Sequence, residues 1–179
     1  VAKPRRPRPV QGRAKTLLFP RDKFRVLVES NARSCYHINM EIFERAKGKI
    51  NLTLDITGES GGFHLLDMLV ATIDLFDDVK ITYRADDKIE CVQDGEIADE
   101  KNSAYRAAKL MQDTFKTRGF TVEITKRIPL AGGLGGSCAD GVAVVRGIEK
   151  MLDIKHDFIT AEFLLKVGSD APSMYFDGI

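Results

Sequence analysis

Pro129-Leu-Ala-Gly-Gly-Leu-Gly-Gly-Ser-Cys-Ala139 places four glycines among the eight residues from Pro129 to Gly136. Upstream, Phe120-Thr-Val-Glu-Ile-Thr125 alternates apolar and polar residues, the period of a strand. Downstream, the apolar run from Ser137 to Leu152 predicts a helix. Glycine tolerates positive φ and has no Cβ to hold a ligand away. Free N–H groups at a helix start, reinforced by the helix dipole, favour an anion. Strand, glycine loop and helix in this order describe a phosphate cradle. The loop fits neither standard pattern. A Walker A loop ends Gly-Lys-Ser/Thr, whereas Gly136 is followed by Ser137-Cys138, and the dinucleotide fingerprint G-x-G-x-x-G begins at Gly133-Leu-Gly135 but meets Cys138. Glycine-rich turns also make tight strand-to-helix connections, so the loop alone leaves both readings open.

Outward from the loop, Asn102 or Ser103 reads as the N-cap of a helix ending near Gly119, with Tyr105, Ala108, Leu110, Met111 and Phe115 as its buried stripe. Ile50, Leu52, Leu54 and Ile56 alternate with Asn51, Thr53 and Asp55 as a half-buried strand. Thr57 to Gly62 reads as a loop, Leu65 to Phe76 as a strand, Asp77-Asp78 as a turn, and Val79 to Tyr83 as a further strand. Shorter strands are predicted at Phe24 to Val28, Ile38 to Phe43 and Ile89 to Val92, and a last short helix capped by Thr160 and ended by Gly168. Strands followed by helix, strand, loop and helix make the fold class α+β.

The 179 residues suffice for one domain with a core, or one domain plus an unfinished second. No window approaches the roughly 18 apolar residues of a membrane span. Three cysteines, Cys35, Cys91 and Cys138, lack metal-type spacing and fit a reducing compartment such as the bacterial cytoplasm. The net charge of +1 conceals an asymmetry. Residues 1–33 carry ten Lys/Arg against Asp22 and Glu29, and the remainder has 17 basic and 24 acidic residues. A basic Pro/Arg-rich leader, residues 1–45 and poorly ordered at its start, is therefore expected before a mildly acidic domain at 46–179. The acidic body argues against a broad nucleic-acid face.

Three segments in the same order resemble the GHMP kinase superfamily. The loop is similar to its ATP motif P-x-x-x-G-L-G-S-S-A, Ala46-Lys-Gly-Lys-Ile-Asn-Leu52 to its opening strand A-x-A-K-I-N-L, and Gly168-Ser-Asp-Ala-Pro172 to its later turn G-x-D-V-P. Gly61-Gly-Phe-His-Leu-Leu-Asp67 resembles the D-G-Y-H-x-L segment of the superfamily's 4-diphosphocytidyl-2-C-methyl-D-erythritol kinases. Gly48 replaces the usual Ala, Gly61 the Asp, Phe63 the Tyr, and Cys138 a Ser. The resemblance covers about three quarters of the chain.

What the resemblance implies is an ATP-binding N-terminal domain of a small-molecule kinase, using ATP with Mg2+ to phosphorylate the 2-hydroxyl of cytidyl diphospho-methylerythritol. Asp170 would be the general base and Lys49 its partner, since phosphoryl transfer rests on positioning and charge stabilisation. Pro129, Leu130, Ala131, Gly132, Gly133, Leu134, Gly135, Gly136, Ser137, Cys138 and Ala139 would bind ATP. Phe63 would stack on the cytosine, His64 would bond its polar edge, and Asn51 would be a weaker substrate contact, placed only loosely beside Lys49. A thiol at position 138 is a poor magnesium ligand, so no residue is assigned to the metal. Asp140, near the first turn of the following helix, could cap it. Family members continue for about another domain, and little turnover is expected from residues 1–179 alone. The rival readings are a homoserine- or mevalonate-type GHMP kinase, and a non-catalytic RNA-binding module, because the same fold occurs in ribosomal proteins.

Overall fold

The structure, a computed structural model, describes residues 15–17, 25–29 and 37–176. The first residues of the basic leader, with the ordering expected of them, lie outside these. Seven strands form one sheet: β1 Lys15–Leu17, β2 Arg25–Glu29, β3 His37–Ser60, β4 Phe63–Tyr83, β5 Ile89–Gln93, β6 Glu96–Ile97 and β7 Phe120–Thr125. Their order is β1-β2-β3-β4-β7-β5-β6. Every neighbouring pair is antiparallel except β5 and β7, which run parallel. Helix α1 (Ser103–Phe115) makes the crossover between those two, and α2 (Gly136–Leu152) follows β7. Two short helices, α3 (Ala161–Leu165) and α4 (Ala171–Tyr175), complete an α+β domain. No described helix is long and apolar enough to cross a membrane.

Helix α1 begins as its sequence predicts, with the Asn102 side chain accepting the Ala104 N–H at 2.9 Å. It ends at Lys116, which turns left-handed (φ 53°), short of Gly119. Ala104, Ala107, Ala108 and Met111 are fully buried at helical spacing, while Tyr105, Leu110 and Phe115 border the stripe. Helix α2 contributes Val144, Val145 and Ile148 to the same core, against Ile42, Ile81, Phe120 and Val122 of the sheet. Its approach is close: a Cβ added at Gly147 would stand 2.2 Å from Ile81 Cδ1. The sheet face and the helix stripes thus close one core, with the glycine loop at its edge.

The β3–β4 hairpin departs from the sequence reading in three places. The loop expected over 57–62 shrinks to a turn at Gly61 and Gly62. The turn expected at Asp77-Asp78 does not form: both residues pair within β4, opposite Ala46 and Arg45. Asp77 there anchors an internal ion cluster, and Asp78 pairs with Arg127 at the surface, instead of making a chain reversal. Finally, the alternating segment after Lys49 is a strand but not a half-buried one. Leu52, Leu54 and Ile56 are 56%, 48% and 63% exposed, because burial along β3 ends at Lys49, where the covering helices stop. Strand β3 also crosses residues 45 and 46 without a break, with Ile42 fully buried on the leader side.

Candidate active site

The glycine loop leaves β7 and climbs to α2 through three left-handed residues, Ala131 (φ 58°), Gly133 (φ 70°) and Gly135 (φ 69°). A left-handed alanine is uncommon, and such backbone persists where the surroundings hold it. Gly135 is the N-cap of α2 and no side chain caps that end, so its first N–H groups remain open to a ligand. A cavity of about 230 Å³ lies under the loop, with Lys126 and Ile128 on its floor.

Lys49 reaches this cradle from β3. Its N–H donates to the Leu134 carbonyl at 2.9 Å, which ties the strand to the loop. Its side chain crosses Gly135 so closely that a Cβ there would stand 3.1 Å from Lys49 Cγ and 3.2 Å from Cε. The buried ammonium donates to Asn51 Oδ1 at 2.9 Å and pairs with Asp170 Oδ2 at 3.2 Å. Asp170 occupies the N-cap position of α4 yet makes no capping bond with its side chain, which faces Lys49 instead. Asn51 corrects the expectation of a loose neighbour. Residues two apart on a strand share a face, so Asn51 and Lys49 point the same way and bond directly.

Other expected positions fall elsewhere. His64 lies at the hairpin tip, 3.3 Å from Glu59. Along β4 it is eight residues from Thr72, the cross-strand partner of Lys49, roughly 26 Å of strand. The structure therefore does not bring His64 to the Lys49–Asp170 pair, although the alternation of β4 puts both on one face. The Phe63 side chain lies outside the described residues. Cys138 packs its sulfur against Gly168, where a Cβ would come within 2.5 Å. Burial pushes its thiol up, and the Asp170 backbone N–H bonds to it, so Cys138 braces the turn that carries Asp170.

Asp140 does not cap α2. It is 2% exposed and turned inward, with its Oδ2 2.7 Å from Lys126 Nζ. Lys126 also donates to Asp77 Oδ2 at 2.5 Å, and Asp77 Oδ1 accepts the N–H groups of Arg127 and Ile128 at 2.5 and 2.8 Å. Burial alone would raise the Asp77 carboxyl, but those N–H donors and the ammonium hold it below the usual carboxylate range. Ser103 Oγ lies 2.8 Å from Ser137 Oγ and joins the starts of α1 and α2. Sequence reading missed Asp77, Lys126 and Ser103. The available signal was an acid inside an apolar strand and a lysine three residues before the glycine loop.

Residues 102–178 match the GHMP kinases N terminal domain family. The 4-diphosphocytidyl-2-C-methyl-D-erythritol kinase of Bacillus subtilis (strain 168) is 36% identical over 144 residues, covering 78% of this chain and 50% of that protein. The matched segment, residues 102–178, belongs to the GHMP kinase superfamily. The same-named kinase of Bacillus licheniformis is 39% identical over 136 residues, 73% of this chain and 47% of that one. This GHMP domain spans about half the length of the curated relatives it matches. Among solved structures, a 4-(cytidine 5'-diphospho)-2C-methyl-D-erythritol kinase superposes with TM-score 0.63 at 25% identity, covering 75% of this chain and 48% of that chain. Homoserine kinase from Cytophaga hutchinsonii shares the fold, with TM-score 0.53 at 23% identity and coverage of 82% and 45%.

The crossing of Lys49 over Gly135 makes the GHMP loop testable. In Gly135→Val the new side chain meets Lys49 and forces a β-branched residue into a left-handed conformation, at a cost of roughly 1–3 kcal/mol. We expect ATP affinity to fall about tenfold or more in a fluorescent-nucleotide titration. Unchanged affinity would make the loop a structural turn.

Proposed function

We propose that this chain is the ATP-binding part of a kinase that phosphorylates the 2-hydroxyl of 4-diphosphocytidyl-2-C-methyl-D-erythritol. The observation that carries the reading is the Lys49–Asp170 pair beside the uncapped start of α2. The names of the relatives supply the substrate. The residues fit a nucleotide: the loop has the left-handed turns of an anion-binding backbone and a cavity beneath it. Among the described residues no group of three His, Cys, Asp or Glu stands ready to hold a metal. Magnesium would arrive with the phosphates, where it would neutralise charge.

The chain's own residues divide the work. The N–H groups of Gly136 and Ser137 hold the phosphate end of the nucleotide. Asp170 Oδ2 accepts the proton of the substrate hydroxyl as that oxygen bonds to the γ-phosphorus of ATP and the phosphorus–oxygen bond to the departing ADP breaks. Lys49, fixed by Asn51 and Asp170, offsets the negative charge on the transferring phosphoryl. Phe63 and His64 at the hairpin tip would meet the cytidine when substrate draws the arm inward.

A substrate panel tests this. With ATP and, in turn, the cytidyl substrate, homoserine and mevalonate, the low ADP release expected of this chain should appear only with the first. Selective use of homoserine or mevalonate would remove the cytidyl assignment and leave the superfamily standing.

A further inference from the structure

The Lys126 cluster spans both ends of the glycine loop. Asp77, on β4, grips the chain before the loop through the Arg127 and Ile128 N–H groups. Asp140, on α2, belongs to the helix after it. One ammonium, with a side chain 9% exposed, joins the two carboxylates. That ammonium lies 3.4 Å from where a Cβ on Gly136 would stand, directly against the first residue of α2. The cluster is thus the floor of the candidate phosphate site.

Its charge does not balance. Two ionised carboxylates on one ammonium leave a surplus negative charge buried under a loop built for an anion. The surplus has a location. Asp140 Oδ1 is buried with no hydrogen-bond partner among the described residues, whereas both oxygens of Asp77 are bonded. A buried carboxylate oxygen without a donor is costly, and a neighbouring phosphate makes the surplus negative charge costlier.

We propose that Asp140 takes up a proton when phosphate settles on the glycine loop, so that the Lys126–Asp77–Asp140 clamp couples nucleotide binding to pH. This rests on reading the loop as the ATP site. Burial pushes the free Asp140 carboxyl up to about 7, against the pull of Lys126, so the group titrates near neutrality. The groups that face it are Lys126 from the segment after β7, Asp77 from β4 and the Cys91 thiol from β5, itself pushed up to about 11 by burial and by Asp140. Beside it on α2, Gly141 meets the uncharged Ser103 of α1 and Val167 beyond α3. Asp94 accepts the Lys126 N–H from the far side. Phosphate raises the Asp140 pKa further. Affinity is therefore full below the free value and declines as pH rises through it, until it levels off above the bound value. Lys126 and Asp140 are positioning residues of the loop, and neither is assigned to the chemistry.

The test is ATP affinity from pH 6 to 9 for the wild-type chain and Asp140→Asn. The ratio of the two affinities cancels the titration of the nucleotide itself. Wild-type affinity relative to the variant is expected to fall about tenfold between pH 6.5 and 8.5, the order expected for uptake of one proton. Parallel profiles overturn the proposal and leave the ATP reading intact. Binding by neither protein at any pH overturns that reading and the proposal with it. Carbon-13 carboxyl NMR of the wild-type chain needs no variant. The Asp140 midpoint should rise on adding ATP, and an unmoved midpoint in the ATP-bound protein refutes the coupling.

Discussion

Asp170→Asn is expected to lower phosphoryl transfer to the cytidyl substrate by about a thousandfold while ATP affinity stays within about twofold. The substitution keeps the size and planarity of the side chain at the start of α4, so Lys49 retains an oxygen partner near its 3.2 Å position. What disappears is the carboxylate proposed to accept the hydroxyl proton. Asp170 also stands outside the cavity beneath the loop, whose lining ends at Cys138, so nucleotide contacts should survive. The measurement pairs an ADP-release assay at saturating substrate with a nucleotide titration. Turnover within about threefold of wild type would remove Asp170 from the base role. A parallel collapse of ATP affinity would instead place it in the nucleotide site.

The parts of this site that can be read from sequence are the ones written in contiguous residues. The loop 129–139, Lys49 after Ala46-Lys-Gly48, and Asp170 before Ala171-Pro172 each announce themselves within a few positions, and the fold brings all three together. Asn51 needed only the two-residue period of a strand, applied correctly. Asp77 was illegible for a physical reason. An acid pair between apolar runs has the composition of a turn, and only the tertiary partners Lys126, Arg127 and Ile128 make it affordable inside a strand. The same limit hid the role of Asp140, since distance to the helix start suggests a cap while burial is decided by β4 and β7. Alternation likewise showed that residues 50–56 form a strand but not how far the helices would cover it.

Asp77→Ala should produce the largest stability loss of any single change in the loop region, about 3–5 kcal/mol, because it removes one partner of a buried ion cluster. Three donors lose their acceptor at once: the Lys126 ammonium and the N–H groups of Arg127 and Ile128. Lys126 keeps Asp140, but the chain before the loop loses its tie to β4. For a chain of this length the loss corresponds to a fall in Tm of roughly 10 °C, measurable by calorimetry. The pH dependence has a definite sign. Asp77 is held below its ordinary value of 3.8, so its stabilisation is complete above that pH and lost as pH falls through the lower folded value. The gap between wild type and Asp77→Ala should therefore be widest near neutrality and close in strong acid. Asp77→Asn separates the two contributions. Its amide oxygen can still accept the backbone N–H groups, so it should recover part of the stability without restoring the charge on Lys126. If Asp77→Ala melts within about 2 °C of wild type at pH 7, the cluster does not anchor the loop. The floor of the candidate phosphate site would then have to be held by the packing of Ile128 against Gly136 alone.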